Sequence, residues 1–201
     1  MLKLYDHPLS GNCYKVRLLL NQLRVKYQKV PVDIFKAEHK TEEFARLNPN
    51  MKIPVIDDDG FIMWESNAIL LYLVKKYSPN RFISDDPADY GHIVQWLIFG
   101  KTSVDPNFAI VRYYKKFLTA GQYDKNEFMK LQSNCHTILD QLNKHFLSNE
   151  FIAGRYSVAD IACYPYIKLS EEAEIKLINY SSVRKWISNL EEEKDYITID
   201  G

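Results

Sequence analysis

Three short segments carry side chains that suit an anionic, peptide-like ligand. Ser10 stands within "HPLSGNCYKV", residues 7–16, directly before a helix with apolar periodicity. Residues 52–54 place a proline among strand-like residues, and residues 65–66, Glu-Ser, begin another helix. Unpaired N–H groups at a helix N-terminus attract anions. Together the segments suit a ligand with a thiol or other anion at one end, a peptide-like middle and an α-amino acid group at the other.

The last two segments each have a backbone feature suited to an extended ligand. Pro54 cannot donate to a strand ladder, so it belongs at a sheet edge or a special site. If the Ile53–Pro54 bond is cis, the chain turns sharply and leaves the Ile53 amide and carbonyl to pair with a ligand. At the third segment, the Ser66 hydroxyl and the first helical N–H groups favour an anion, while Glu65 can accept from an ammonium.

The elements that position these segments alternate between strands and helices over the first eighty residues. Residue type and spacing predict strands at 2–5, 28–32, 52–57 and 61–64, and helices at 13–23, 41–48 and about 65–77. The turn Asp58-Asp59-Gly60 predicts a hairpin between the last two strands. The order predicts parallel pairing of the first two strands and a four-stranded mixed sheet with helices on its faces.

The second half of the chain is predicted to be all-helical. Strand signals nearly vanish after residue 87, and helical patterns cover about 88–118, 124–147, 157–170 and 181–193. The patterns break at 105–107 and at Gly121. Ser78-Pro79-Asn80 ends the preceding helix. The predicted organisation is a domain at 1–78, a linker at 79–87 and a helical domain at 88–201.

The composition is that of a soluble globular protein. The 201 residues are 46% hydrophobic, and 26 basic residues balance 26 acidic ones. Because no net charge attracts a polyanion, we expect neither nucleic acid nor an anionic membrane surface as a partner. The longest apolar run, residues 68–74, is too short to span a bilayer, and the N-terminus lacks a signal-peptide pattern. We therefore expect a cytoplasmic protein.

The cysteines and histidines show neither a disulfide framework nor a metal-binding pattern. Cys13, Cys135 and Cys163 are widely spaced and form no CxxC pair, which is typical of a reducing compartment. His136 and His145 lie in one predicted helix without a partner at ligand spacing. The sequence therefore predicts no metal site.

Four stretches together resemble the cytosolic glutathione transferases, and the resemblance covers essentially the whole chain. "SGNCYKV" (10–16) resembles the serine loop of the serine-type classes, nearest the phi, theta and bacterial nu-like patterns. "AEHKTEEFARLNPNMKIPVI" (37–56), "WESNAILLYL" (64–73) and "FIAGRYSVADIACYPYI" (151–167) resemble the family's other motifs in order. The resemblance implies a thioredoxin-like α/β N-terminal domain, an all-α C-terminal bundle, a homodimer and a role in detoxification.

The resemblance also implies a role for each matching residue. The Ser10 hydroxyl donates to the glutathione thiolate, and Asn12 is a second candidate for that contact. Ile53, which precedes Pro54, pairs through its backbone with the cysteinyl part of glutathione. The remaining residues bind the two ends of the tripeptide: His39, Lys40 and Lys52 bind the glycine carboxylate, and Glu65 and Ser66 bind the γ-glutamyl group.

Several of these residues also have a structural interpretation. A serine such as Ser10 is in most chains only an N-cap, and here the other segments favour the binding role; a loop histidine such as His39 is more often only solvated. Cys13 lies close to a helix start, where thiolates are stabilised, so it is an alternative reactive thiol, although its place inside the helix favours a half-buried structural role. Ser157 and Asp160 match an S-x-x-D capping box, whose role is structural.

The sequence thus predicts an enzyme that conjugates glutathione to hydrophobic electrophiles. Two alternatives stay open: a glutathione-dependent disulfide or peroxide reductase, and a non-catalytic interaction module with the transferase fold. A pocket for the second substrate is expected between the Ser10 loop and the helix at 88–118. Its candidate lining residues, which are equally consistent with the bundle core, are Leu9, Val104, Phe108, Arg112 and Tyr113.

Overall fold

A four-stranded mixed sheet organises the N-terminal part of the chain. The computed structural model describes residues 1–78, 81–119 and 121–200. Its strands are β1 (Leu2–Asp6), β2 (Gln28–Pro31), β3 (Val55–Asp58) and β4 (Phe61–Trp64), in the order β2-β1-β3-β4. Strand β1 is parallel to β2 and antiparallel to β3, which is antiparallel to β4. The predicted mixed sheet is confirmed.

Three helices complete this part of the chain, namely α1 (Gly11–Gln22), α2 (Glu42–Leu47) and α3 (Ser66–Tyr77). The β-α-β-α-β-β-α order with this sheet is a thioredoxin-like fold. Its core is built from apolar residues of α1, α3 and the central strands, including Leu4, Leu19, Ile56, Ile69 and Leu73, all of which are fully buried. Removal of these side chains from water is the main source of the unit's stability.

Two element boundaries differ from the sequence-based prediction in ways that affect the site. Helix α1 begins at Gly11, two residues earlier than predicted, so that Ser10 is its N-cap. Strand β3 begins at Val55 and not at residue 52, because Pro54 has no N–H to donate to the ladder. The predicted hairpin turn is present at residues 59–60, where Gly60 adopts a φ of 93° that favours glycine.

The second unit consists of helices α4 (Pro87–Phe99), α5 (Ile110–Phe117), α6 (Lys125–His145), α7 (Val158–Lys168) and α8 (Ser181–Glu191). A wide π-helical segment, Gly100–Ala109, connects α4 to α5 and contains Pro106. The sequence predicted a break at this proline, which disrupts an ordinary α-helix. The structure instead continues the helix with a different winding. In the described residues of both units, no helix has the length and apolarity needed to cross a bilayer.

The predicted second-substrate residues of this unit have unequal surroundings. Val104 and Phe108 are fully buried, as expected for bundle core. Arg112 is also buried, and its Nε donates to Glu172 at 2.6 Å. Tyr113 is 47% exposed. Of these four, Tyr113 is the side chain most accessible from solvent.

The last residues of the chain belong to the first unit. That unit comprises Met1–Phe82 and Lys194–Gly201, and the second comprises Ile83–Glu193. The sequence placed residues 194–201 with the helical domain. In the structure, residues 195–199 lie against α1, where the Tyr14 hydroxyl donates to the Ile197 carbonyl at 2.6 Å. Pro79 and Asn80, with which the predicted linker begins, lie outside the described residues.

Candidate functional site

Four loops that carry the predicted site residues leave the sheet at the same end. Tyr5 of β1 pairs with Val55 of β3, and Val55 pairs in turn with Trp64 of β4. Residues 7–10, 52–54 and 65–66 therefore begin or end next to one another. Since β2 is parallel to β1, the loop that follows it, residues 32–40, emerges at this end too. The sheet thus brings the predicted segments together.

Ser10 caps the first helix of this site. Its backbone is extended (φ −80°, ψ 116°), and its Oγ accepts a hydrogen bond from the Cys13 amide at 3.2 Å. That bond engages an oxygen lone pair and leaves the hydroxyl able to donate. Ser10 is half-buried, and its own amide donates to the His7 carbonyl at 3.0 Å. The cap and a donor function are therefore compatible.

Asn12 and Ser66 join the start of α1 to the start of α3. The Ser66 hydroxyl donates to Asn12 Oδ1 at 3.0 Å. Ser66 is buried, and Asn12 is half-buried. The bond places the N-termini of two helices side by side, and both present N–H groups with partial positive charge. Such an arrangement favours an anion or a carboxylate between them.

Glu65 has a strained backbone at the entry to α3. Its φ of 68° lies in the left-handed region, which costs a non-glycine residue about 1–3 kcal/mol. Ala37, close before His39, and Met51, directly before Lys52, also have positive φ, of 57° and 50°. Strain of this kind concentrates at ligand-binding sites. In this protein the strained residues lie in or next to three of the predicted binding segments, those of His39, Lys52 and Glu65.

A loop from Asn48 to Pro54 presents the middle segment. Asn48 is buried, and its side chain holds both sides of the loop: Nδ2 donates to the Lys52 carbonyl at 2.6 Å, and Oδ1 accepts from the Asn50 amide at 2.9 Å. Lys52 itself is exposed. The Ile53–Pro54 bond is cis, and the Ile53 side chain packs on the cluster of Val32, Phe44 and Val55.

The two predicted residues of the loop after β2 differ in their surroundings. Lys40 is exposed, and its Nζ donates to the Met51 carbonyl at 3.4 Å, next to Lys52. His39 is half-buried, and within the described part of the chain its buried Nδ1 has no hydrogen-bond partner. Burial, together with the charge of Lys40, lowers the pKa of His39. A neutral imidazole donates to a carboxylate without adding a positive charge.

Arg17 and Asp6, which the sequence analysis did not single out, support the Ser10 loop. Arg17 Nη1 donates to Asp6 Oδ1 at 2.6 Å and to the His7 carbonyl at 3.3 Å, and Nη2 donates to the Pro8 carbonyl at 3.0 Å. The available signal was a charged residue within the otherwise apolar stretch 16–20. A buried charge requires a partner, so such a residue indicates an ion pair.

Cys13 lacks the surroundings of a reactive thiol. It is fully buried. Burial, with a further contribution from Asp6, raises its pKa to about 12. The Ser10 side chain and Arg17 oppose this rise. Since the thiolate is the reactive species, these surroundings favour the structural role for Cys13.

The native protein is therefore expected to resist alkylation by iodoacetamide at pH 8. Burial also raises the pKa of Cys135 to about 12, and Cys163 is buried as well. Mass spectrometry is expected to find no carbamidomethyl group after an hour in buffer, and three after the same treatment in guanidinium chloride. Rapid native labelling of Cys13 would contradict its assignment as a structural thiol.

Among the side chains of residues 1–78, 81–119 and 121–200, no cluster of three or more histidine, cysteine or acidic groups is suited to a metal ion. The site consists instead of hydroxyls, amides, helix N-termini and lysines. A thioredoxin-like sheet that carries such a loop cluster, followed by a helical unit, defines the class of two-domain thioredoxin-fold proteins.

Comparisons with known proteins assign the family. Residues 1–75 match the model of the glutathione S-transferase N-terminal domain. Disulfide-bond oxidoreductase YfcG of Escherichia coli strain K12 is 30% identical over 194 residues, covering 92% of this chain and 88% of that protein. Glutathione S-transferase from Pseudomonas fluorescens Pf-5 superposes with a TM-score of 0.93 at 32% identity over 98% of each chain. The chain belongs to the glutathione S-transferase superfamily.

A further solved structure of the family contains a ligand. Glutathione transferase from Pseudomonas putida was crystallised with one glutathione disulfide bound per subunit. It superposes with a TM-score of 0.87 at 27% identity, covering 96% of this chain and 88% of that one.

Proposed function

We propose that this protein is a glutathione-dependent enzyme that ionises the thiol of bound glutathione and uses the thiolate as a nucleophile toward a hydrophobic electrophile. The observation that carries the proposal is the register of Tyr5, Val55 and Trp64, which brings the Ser10, Lys52 and Glu65 loops to one end of the sheet. A tripeptide with a thiol in its middle and a carboxylate at each end matches the chemistry of these loops.

Each end of glutathione has a proposed set of partners. The γ-glutamyl carboxylate binds at Ser66 and the first amides of α3, and Glu65 accepts from the α-ammonium. The glycine carboxylate binds at Lys52, Lys40 and His39. The contact between Lys40 and the Met51 carbonyl supports this grouping, because it holds the two lysines on adjoining loops.

The central part of the tripeptide is held by the backbone of Ile53 and by Ser10. The cysteinyl amide and carbonyl pair with Ile53, the residue before the cis bond to Pro54. The thiol sulfur lies at Ser10, whose hydroxyl donates to the thiolate. Asn12, which accepts from Ser66, is the second candidate for contact with the sulfur. The serine-type assignment is supported by this cap geometry.

A second candidate function, glutathione-dependent disulfide reduction, is favoured by two relatives: the Escherichia coli protein is named a disulfide-bond oxidoreductase, and the Pseudomonas putida transferase was crystallised with glutathione disulfide. The thiolate of one glutathione attacks a disulfide, forming a mixed disulfide and releasing a thiolate. A second glutathione thiolate then releases the other half and leaves glutathione disulfide. With Cys13 buried, both electrons come from the two glutathione molecules.

Three measurements on the purified protein test the proposal. Isothermal titration with glutathione tests binding, and a protein that binds none would be an interaction module without this ligand. Conjugation of 1-chloro-2,4-dinitrobenzene and reduction of hydroxyethyl disulfide are then compared at equal glutathione. Faster conjugation supports the first function, and faster reduction supports the second.

Lys52→Ala is expected to weaken glutathione binding by about tenfold or more, because a hydrogen bond to a charged group contributes about 1.5–3 kcal/mol. Calorimetric titration measures the change in Kd. The matched control is Lys26→Ala, which removes another exposed lysine, two residues before β2 and therefore at the opposite end of the sheet. Equal affinity of the Lys52→Ala variant and the unmodified protein would remove Lys52 from the proposed site.

A homodimer, a cytoplasmic location and a role in detoxification complete the proposal, and the family resemblance supplies all three. Light scattering during gel filtration tests the first directly. A mass near twice 23.6 kDa supports the homodimer, and a mass near 23.6 kDa contradicts it.

A further inference from the structure

The segment Asp195–Ile199 lies along one face of α1. The three residues of α1 that hold it, Tyr14, Arg17 and Asn21, are spaced by three and four positions, as a single helical face requires, and Arg24 follows just after the end of the helix. The contacts are hydrogen bonds or ion pairs: Tyr14 Oη to the Ile197 carbonyl at 2.6 Å, Arg17 Nη2 to the Ile199 carbonyl at 2.8 Å, Asn21 Nδ2 to the Asp195 carbonyl at 2.7 Å, and Arg24 Nε and Nη2 to the Asp195 carboxylate at 2.9 and 3.2 Å.

Arg17 differs from the other three residues because it is buried and because it contacts both the C-terminal segment and the loop before Ser10. Its side chain is 1% exposed. Nη1 donates to Asp6 and to the His7 carbonyl, and Nη2 donates to the carbonyls of Pro8 and Ile199. A guanidinium is a rigid planar fork, so its donors move together. The position of the C-terminal segment is therefore coupled to that of the loop before Ser10.

The coupling reaches Ser10 through one shared acceptor. The His7 carbonyl accepts from Arg17 Nη1 at 3.3 Å and from the Ser10 amide at 3.0 Å. Arg17 thus fixes the carbonyl that fixes the Ser10 backbone. The polar contacts of Arg17 recorded in the structure are with Asp6, the His7–Pro8 loop and Ile199. The binding segments at 52–53 and 65–66 lie instead before β3 and after β4.

We propose that Arg17 is a positioning residue for Ser10 and that the segment Asp195–Ile199 holds Arg17 in the arrangement that aims the Ser10 hydroxyl at the thiol. This inference rests on the proposed role of Ser10 in glutathione activation. When the segment is absent, Nη2 loses the Ile199 carbonyl and the fork is free to tilt. The His7 and Pro8 carbonyls then shift, and the hydrogen bond to sulfur weakens because such bonds depend steeply on distance and angle.

A truncation after Lys194 tests the proposal, with Arg24→Gln as the matched control. Arg24 is 65% exposed, and its loss breaks the contact with the Asp195 side chain while leaving Arg17 and Ile199 in place. Two quantities are measured on each protein. The first is the pH midpoint of thiolate formation, from ultraviolet absorbance at saturating glutathione. The second is the affinity for S-methylglutathione, which has no thiol to ionise.

Truncation is expected to raise the midpoint by about one pH unit, which leaves about tenfold less thiolate below both midpoints. The affinity for S-methylglutathione is expected to change by no more than about twofold. Arg24→Gln is expected to leave both quantities unchanged. A merely structural role for the segment predicts instead that truncation lowers stability and leaves the midpoint unchanged.

An unchanged midpoint in the truncated protein overturns the inference. A raised midpoint accompanied by an equal loss of affinity for S-methylglutathione also overturns it, because that result would show a general loosening of the site. If the truncated protein does not fold, Arg17→Lys carries the same test. Lysine keeps a positive charge near Asp6 but lacks the fork, so the same rise in midpoint is expected. If the full chain binds neither ligand, the proposed function fails; if it forms thiolate and truncation has no effect, only this inference fails.

Discussion

Ser10→Ala is expected to lower the rate of the glutathione-dependent reaction at pH 7 by about tenfold to 25-fold, the largest change that ionisation of the thiol allows when its pKa rises by two units. A free thiol with a pKa of about 8.5 is about 3% ionised at pH 7. Lowering this pKa by about two units requires about 2.7 kcal/mol. A hydrogen bond to the thiolate contributes about 1.5–3 kcal/mol and the helix N-terminus about 0.3–1 kcal/mol. The hydroxyl is therefore the larger contribution.

The pH profile of the rate measures this effect directly. Its midpoint is expected to rise toward that of free glutathione in Ser10→Ala and to stay low in Ser10→Thr, which keeps a hydroxyl. Because Ser10 also caps α1, its replacement removes a helix cap as well as the hydroxyl. The control is therefore a variant that loses the cap of a different helix. Asp124→Ala removes the cap of α6, where Asp124 Oδ1 accepts from the Glu127 amide at 2.8 Å. If Ser10→Ala had the kinetics of the unmodified protein, stabilisation of the thiolate would have to come from Asn12 or from the helix N-terminus alone.

Asp160→Ala is expected to lower the free energy of unfolding by about 3–5 kcal/mol, because it leaves several buried donors without an acceptor and each such donor costs about 1–3 kcal/mol. Asp160 is fully buried and accepts four hydrogen bonds. The donors are the Ile152 amide at 2.7 Å, the Ser157 amide at 3.0 Å, Ser157 Oγ at 3.2 Å and Trp186 Nε1 at 2.9 Å. Alanine leaves all four donors buried without their acceptor.

Urea denaturation measures this loss, and Ser157→Ala is the graded control. Alanine at this position removes only the hydroxyl among the four donors, together with its cap contact to the Ala159 amide, so a smaller loss of about 1–2 kcal/mol is expected. Activity per folded molecule is expected to stay unchanged in both variants. A stable Asp160→Ala protein without activity would show that the residue acts in the reaction and not in the fold.

The pH dependence of stability gives a second test of this carboxyl group. Burial raises the pKa of Asp160 from 3.8 to about 6, against the opposing effect of its hydrogen bonds. Between these values the folded protein binds a proton that the unfolded chain has released, so the stability contributed by this group falls as pH rises from about 4 to 6. The stability difference between the unmodified protein and Asp160→Asn is expected to follow this trend.

Local signals made much of the fold and site predictable. Gly60 identified the hairpin, and the S-x-x-D pattern at Ser157 identified the capping box that the structure contains. Pro54 marked a special backbone position, although it precedes the strand instead of interrupting it. These features depend on a few neighbouring residues, whose chemistry restricts the backbone directly.

Features that depend on contacts between distant residues were not predictable. Arg17 and Ile199 are 182 positions apart, and no local pattern indicates that the last residues lie on α1. The role of Asn48 was missed for a similar reason: it was recognised as the end of a helix, whereas its side chain also holds the loop that presents Lys52. In both cases one side chain forms hydrogen bonds with backbone groups that come within reach of it only in the folded chain.

The burial of Cys13, Cys135 and Cys163 has a consequence for how long the protein lasts under oxidative stress. Peroxides and disulfides oxidise accessible thiolates, and a protein with such a thiolate is inactivated unless a reductase repairs it. Here the chain's own cysteine thiols are shielded from that damage. In the reactions proposed above, the susceptible thiol belongs to glutathione, which is replaced at every turnover, so the proposed activity does not depend on any thiol of the chain that an oxidant can reach.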